Sequence, residues 1–132
     1  MVETIELLSP SDLSDIQLFQ RAHKAKVFRS RQLLARILNI EVGYLSFDNR
    51  PDLKIGVLYD LLVLPNHRCQ GIGRSLVQAA ENIALSLGYK RIRLCPRAFD
   101  GSVNQKWLES WYLHQDYLPC NDGTNEFEKK LV

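Results

Sequence analysis

Arg68-Cys69-Gln70-Gly71-Ile72-Gly73 is the stretch of this sequence best suited to holding a ligand. Two glycines stand where an apolar run turns into a segment of helical spacing. The first N–H groups of a helix have no intrahelical partner, and the helix dipole places positive charge beside them. Glycine, having no Cβ, lets a ligand reach the main chain. The expected guest is a phosphate or pyrophosphate. Two further side chains invite a chemical reading. Asp60 stands in the preceding apolar run, where an acid is costly unless paired or used. It is either a structural aspartate, held by backbone donors or by an arginine such as Arg91 or Arg93, or a catalytic one. Cys69 lies in the turn itself, but no histidine is placed to activate it, so it reads as a bystander.

The elements that must position these residues follow from the pattern around them. Val57 to Leu64 is apolar apart from Tyr59 and Asp60, which predicts a strand covered on both faces, stopped by Pro65 and Asn66. Ile72, Leu76, Ala79, Ala80, Ile83 and Leu87 then recur at helical spacing, and Gly88 supplies a C-terminal stop. Upstream, Val2 to Leu8 alternates as a first strand. Ser9-Pro10-Ser11-Asp12 has the form of a helix start, with Ser9 as N-cap, and Leu13, Ile16, Phe19 and Ala22 carry that helix to about Lys26. His23, Lys24, Lys26, Arg29 and Arg31 form a basic patch that reads as a solvated face or as a rim attracting an acidic group. Gln32–Ile37 and Ile40–Phe47 predict a hairpin around Leu38-Asn39, and the turn cluster 48–52 leads to Lys54 and the next strand. Downstream, Arg91 to Cys95 is a fifth strand, whose ladder Pro96 must end because proline has no N–H to give. After a turn at Phe99-Asp100-Gly101-Ser102, Val103, Trp107 and Trp111 mark a helix reaching about Gln115. Tyr117 to Pro119 and Asn125 to Val132 pair as the last strands around Asn121-Asp122-Gly123.

The 132 residues suffice for one domain, residues 1–132, with a core of its own. A hydrophobic share of 45% with 24% charged residues fits a soluble globular chain, and a net charge of +2 is too small to make nucleic acid or a membrane the main partner. Cys69, Cys95 and Cys120 have no C-x-x-C spacing, and their odd number argues for a reducing compartment. The start MVETIELLS carries acids where a signal peptide carries bases, and no apolar run reaches membrane-spanning length, so the expected location is the cytoplasm.

The glycine-bearing turn lacks G-x-x-x-x-G-K-[ST] and lacks the three glycines of G-x-G-x-x-G. Instead Arg68-x-x-Gly71-x-Gly73, after a strand ending Leu62-Val63-Leu64-Pro65, resembles the pyrophosphate-binding motif of the GNAT superfamily of N-acetyltransferases. The resemblance covers about Leu33 to Val132 and is sharpest at 57–88. It implies an α/β (α+β) fold with a mixed central sheet of six to seven strands and three helices, splayed at the central strands. The predicted order βα, βββ, α, β, α, ββ agrees with that fold, except that the family's usual pair of helices between the first two strands is reduced to one helix and a loop. That region shapes the acceptor pocket in the family, leaving three forms open here: shallow, open, or completed by a second subunit in a homodimer.

The resemblance further implies acetyl-coenzyme A as cosubstrate and no metal. Arg68, Cys69, Gln70, Gly71, Ile72, Gly73 and Arg74 would hold the pyrophosphate, and Leu61, Leu62 and Val63 the pantetheine arm, in the opening created where Pro96 ends the pairing. An N–H near Leu62 would polarise the thioester carbonyl. Trp111-Tyr112-Leu113-His114-Gln115-Asp116-Tyr117 resembles the family's aromatic–Tyr–x–x–x–Gly–Phe segment. Tyr112 thereby matches the tyrosine that protonates the departing thiolate, while Asp116 replaces the usual glycine. The family's cofactor-binding asparagine falls one place early, at Asn104, with Gln105 in register. Asp60 matches an acid found in many members and, with Cys95, next to Pro96, in the place of a glutamate base on the fifth strand, is the first candidate for a base; the alternative is that no residue acts as base and bulk water removes the proton. Glu81 and Glu109 are expected on solvated helix faces. The implied function is transfer of an acetyl group to a primary amine, of a small molecule or a peptide. The alternatives are a degenerate domain that binds acetyl-coenzyme A or a protein partner without turnover, and a general phosphate-binding regulator.

Overall fold

The computed structural model describes residues 2–7, 12–25, 31–97 and 103–132, with the backbone alone for residues 24 and 25. Seven strands form one mixed sheet: β1 (Glu3–Leu7), β2 (Arg31–Ile37), β3 (Ile40–Arg50), β4 (Ile55–Val63), β5 (Arg91–Leu94), β6 (Leu118–Pro119) and β7 (Phe127–Lys130). Their order across the sheet is β1-β2-β3-β4-β5-β7-β6, antiparallel throughout except for the β4–β5 pair. That parallel pair needs a crossover, and α2 (Ile72–Ser86) supplies it. The other helices are α1 (Ile16–Ala25) and α3 (Gln105–Leu113). The element order is the one expected, including the single described helix between β1 and β2.

Alternation along the strands divides the core in two. Leu33, Ala35, Leu45, Phe47 and Leu58 face α2 and α3, meeting Ile72, Leu76, Val77, Ala80 and Tyr112. Leu34, Tyr44 and Leu62 face the other way and pack on Leu18 and Ala22 of α1. The β2–β3 turn is tight because Leu38 and Asn39 both adopt positive φ (50° and 67°), which matches the twist of the flanking strands. α1 begins later than the sequence suggests. Asp15 caps it through Oδ1, which accepts the Leu18 N–H at 2.9 Å, and the Glu41 carboxylate takes the N–H groups of Ser14 and Asp15. The expected cap at Ser9 and the turn at 99–102 lie outside the described residues, as do Lys26, Arg29 and the side chain of Lys24.

Two features shape the middle of the sheet. β4 pairs with β5 only from Ile55↔Arg91 to Leu58↔Leu94, and from there to Val63 it has no strand partner on that side among the described residues. The pairing therefore stops two residues before Pro96. It stops at a β-bulge in β4, where Ser46 faces Asp60 but Phe47 faces Leu58, leaving Tyr59 as the extra residue. The bulge lets Leu58 enter the α2 core while Asp60, two residues on, turns to α1.

Glu81 is a correction. It stands on the inward stripe of α2 beside Val77 and Ala80, only 5% exposed, and not on a solvated face. Tyr117 donates its hydroxyl to Glu81 at 2.9 Å and Lys129 Nζ lies 3.1 Å from the carboxylate, so the buried charge is paired. Glu109, in contrast, is reached by Gln105 Nε2 at the surface.

Candidate active site

The glycine-bearing turn leaves β4 through Pro65–His67, a single 3₁₀ turn, and enters α2 at Gly71. Gly71 is the N-cap, with φ +80°, and a Cβ there would meet nothing within 4 Å. The left-handed conformation therefore calls for glycine, and the space above it is open. The first intrahelical bond is from Ser75 N–H to the Gly71 carbonyl at 3.0 Å. The N–H groups of Ile72, Gly73 and Arg74 precede it and are the orphan donors of the helix. Gly73 lines the cavity beside the turn and also has a packing role. A Cβ there would lie 3.3 Å from the Trp111 ring, so this glycine makes room for an indole. Cys69 is exposed with φ +63°, and Gln70 is exposed beside it.

Arg68 folds back from the turn, and its Nε donates to the Val63 carbonyl at 2.9 Å. This bond shows which β4 groups face the slot left by β5. The Leu64 N–H bonds Val42 of β3, and antiparallel bonding alternates, so Leu62 also turns its main-chain groups to β3. The Leu62 carbonyl lies against Gly43 accordingly. The expected polarising N–H at Leu62 is thus turned into the sheet, and Leu61 and Val63 carry the slot-facing groups. Of these, the Leu61 N–H is taken by Asp60 Oδ1 at 3.0 Å.

Asp60 is 8% exposed and held by three donors: Arg21 Nη2 at 2.8 Å, the Tyr44 hydroxyl, and the Leu61 N–H. Its arginine is Arg21, on α1. Arg91 and Arg93, the partners considered from sequence, are occupied by Glu128 and by Asp122 and Glu126. Burial, then the Asp60 charge, push the Tyr44 phenol above its ordinary range. A carboxylate so engaged has little acceptor capacity left for an incoming proton donor.

Tyr112 is 4% exposed, edge-on to both Trp111 and Tyr117. Its hydroxyl makes no hydrogen bond among the described residues. Burial, and secondarily the Asp60 charge, hold its pKa above the usual phenol value, so it keeps its proton. Asp116 has φ +72°, which explains the family's glycine at this place and shows the same left-handed turn made with aspartate. Asn104 caps α3, its Oδ1 accepting the Trp107 N–H at 3.1 Å, and Gln105 Nε2 donates to the Pro96 carbonyl at 2.8 Å. The asparagine matched to the cofactor site is therefore engaged as a helix cap.

One cavity of about 420 Å³ joins these parts. It runs from the turn (Arg68, Gly71, Arg74) along Leu61 to Val63, with Trp107 and Trp111 as one wall and Arg21 and Arg97 among its lining. Tyr112 is not among the residues that line it. Arg21, Tyr44 and Arg97 were not singled out from sequence. The available signal for Arg21 was an arginine next to Ala22, on the buried stripe of α1. Among the described residues no group of three histidine, cysteine or carboxylate side chains is placed to hold a metal ion, and no helix is long and apolar enough to cross a membrane.

Known structures share this fold. The ribosomal-protein-S18-alanine N-acetyltransferase of Escherichia coli superposes with a TM-score of 0.71 at 14% identity, covering 100% of this chain and 95% of that one. A GNAT-family acetyltransferase of Staphylococcus aureus gives 0.70 at 14% identity with 100% of both chains covered. The PaiA N-acetyltransferase of Thermoplasma acidophilum, solved in complex with coenzyme A, gives 0.63 at 19% identity over 85% of this chain and 66% of that one. At these identities the likeness shows the fold. No curated protein matches the chain in sequence. The family model for the acetyltransferase (GNAT) family matches residues 9–110, and the chain belongs to that family.

Proposed function

We propose that the protein transfers the acetyl group of acetyl-coenzyme A to a primary amine by direct attack. The observation that carries this reading is the β4 edge. It loses its β5 partner after Leu58 and runs as an open edge into the Gly71 turn, both lining one cavity. An extended, amide-bearing ligand ending in a diphosphate fits such a path: strand-like bonds along the edge, then orphan N–H groups at a helix start.

In this reading the cosubstrate supplies an acetyl thioester. The N–H groups of Ile72, Gly73 and Arg74, with the Arg74 guanidinium, hold the diphosphate. The Leu61 carbonyl accepts from an amide of the arm, and the slot-facing Val63 N–H polarises the thioester carbonyl. Asp60, committed to three donors, anchors the strand, so water removes the amine's proton. The Tyr112 hydroxyl donates to the leaving sulfur. An un-ionised phenol without a partner among the described residues suits that task.

A second reading, a domain that binds acetyl-coenzyme A without turnover, is favoured by one observation: Tyr112 is not among the residues that line the cavity. Release of free thiol separates the two. Coenzyme A appearing only when amines are added supports transfer. Saturable acetyl-coenzyme A binding with no release across an amine panel supports the second reading.

A further inference from the structure

Resting on the acetyl-transfer reading with Tyr112 as its acid, we propose that Glu81 and Tyr117 are positioning residues that fix Tyr112 for transfer. Glu81 stands among apolar residues on the inward stripe of α2, 5% exposed. A buried carboxylate is costly, and replacing a buried ion pair by apolar groups is often neutral or stabilising. Stability alone therefore does not account for it. What it holds is Tyr117. That fully buried side chain donates its hydroxyl to Glu81 at 2.9 Å. Lys129 Nζ lies 3.1 Å from both carboxylate oxygens and 5.7 Å over the Tyr117 ring centroid.

Tyr117 in turn sets Tyr112. Its N–H donates to the Tyr112 carbonyl at 3.1 Å, and the two rings meet edge to face, 5.8 Å between centroids and 74° between planes. The Tyr112 hydroxyl has no hydrogen-bond partner among the described residues, so its direction follows from where the ring is held. Trp111, the other ring contact, lines the cavity, whereas Tyr117 is tied into the core. α2 links this cluster to the cosubstrate. It presents its orphan N–H groups from Ile72 to Arg74 and carries Glu81 about 14 Å further along its axis, from the helical rise per residue. One rigid element thus spans the diphosphate end and the group that orients the acid. Misplacing a reacting group by about an ångström costs about 10²-fold in rate.

Three variants separate positioning from packing. Glu81→Leu removes the acceptor and keeps the bulk, while Glu81→Gln keeps an oxygen for the Tyr117 hydroxyl. Tyr117→Phe cuts the same bond from the other side, leaves the ring, and replaces Glu81→Leu throughout should that protein fail to fold. Steady-state kinetics should show kcat lowered about fivefold or more in Glu81→Leu and Tyr117→Phe, and within about twofold of wild type in Glu81→Gln. Acetyl-coenzyme A affinity, by calorimetry, should stay nearly unchanged in all of them. The deciding measurement repeats Glu81→Leu in a Tyr112→Phe background. Acting through the Tyr112 hydroxyl, the change should cost less than about twofold there. A wild-type kcat in the folded single variants overturns the proposal. So does a fall equally large in both backgrounds, which a general loosening of the core produces. If no amine releases coenzyme A, or Tyr112→Phe keeps the wild-type kcat, the transfer reading or its acid fails, and positioning is read from the ring itself. NMR of ring-labelled tyrosine, with Tyr112 assigned by its loss in Tyr112→Phe, should show slower ring flipping in wild type and Glu81→Gln than in Glu81→Leu. Equal flipping in all of them overturns the proposal.

Discussion

At the scale of single residues, the site depends on which polar atoms are already engaged. Asp60 has three partners, the Leu62 N–H belongs to the sheet, and Asn104 caps a helix. The Tyr112 hydroxyl has none among the described residues, and this makes it the informative position. Tyr112→Phe removes one oxygen from a core side chain and leaves the ring contacts with Trp111 and Tyr117 in place. If the hydroxyl acts only as charge builds on sulfur, kcat falls by about 10²-fold, the lower end of general acid contributions, with acetyl-coenzyme A affinity nearly intact. Steady-state kinetics alongside calorimetry measure both. A kcat within about twofold of wild type would make Tyr112 a packing residue and not the acid. The sequence made these residues visible unevenly. R-x-x-G-x-G stood out because a left-handed Gly71 before a helix leaves a local signature. The two glycines nonetheless differ in role, and nothing local could say that an indole from α3 fills the space at Gly73.

At the scale of elements, the Arg21–Asp60–Tyr44 cluster ties α1 to β3 and β4 beside the slot. Burial is the largest single influence on Arg21 and opposes its charge, but the bond and charge of Asp60, together with Tyr44, outweigh it, and the net direction is upward for the guanidinium. Asp60→Asn keeps the shape and removes the counter-charge, leaving Arg21, 23% exposed, without its anion. Breaking a fully buried pair costs about 3–5 kcal/mol; with Arg21 partly solvated, a loss of about 1–3 kcal/mol is expected in denaturant unfolding. The pH–rate profile of the variant should keep the wild-type shape, because the cluster anchors a strand and carries no proton in the reaction. Disappearance of the profile's acid limb would instead make Asp60 the base. The strand order and the α2 crossover were legible because apolar runs and glycine stops are local. The bulge at Tyr59 was not, since it exists only in the register between β3 and β4. Without it, alternation would put Asp60 on the same face as Leu58, which is why its true partner on α1 was out of view.

At the scale of the whole molecule, three buried phenols join the layers: Tyr44 between the sheet and α1, Tyr112 between α3 and the core, Tyr117 between β6 and α2. Each has its pKa raised from 10.0, with burial the largest cause and a neighbouring carboxylate the next, Asp60 for Tyr44 and Tyr112 and Glu81 for Tyr117. The consequence for stability has a definite sign. Below pH 10 both folded and unfolded chains hold these protons, and the phenols contribute no pH dependence. Above it the unfolded chain releases them while the folded chain does not, so the folded state binds more protons and stability falls with rising pH. Each phenol contributes a slope of up to about 1.4 kcal/mol per pH unit. A domain with a few kcal/mol to spare should therefore unfold cooperatively one to two units above pH 10, an order-of-magnitude bound from the same slope. Tyrosinate absorbance and circular dichroism, followed together, check this. A single sharp step coinciding in both signals is expected for these three side chains, and Tyr112→Phe should lower the steepness of the unfolding transition in pH by about one proton. Smooth ionisation of all five tyrosines ahead of any change in circular dichroism would mean that solvent reaches these hydroxyls in the folded state. The buried setting that keeps Tyr112 protonated for its proposed role would then be absent.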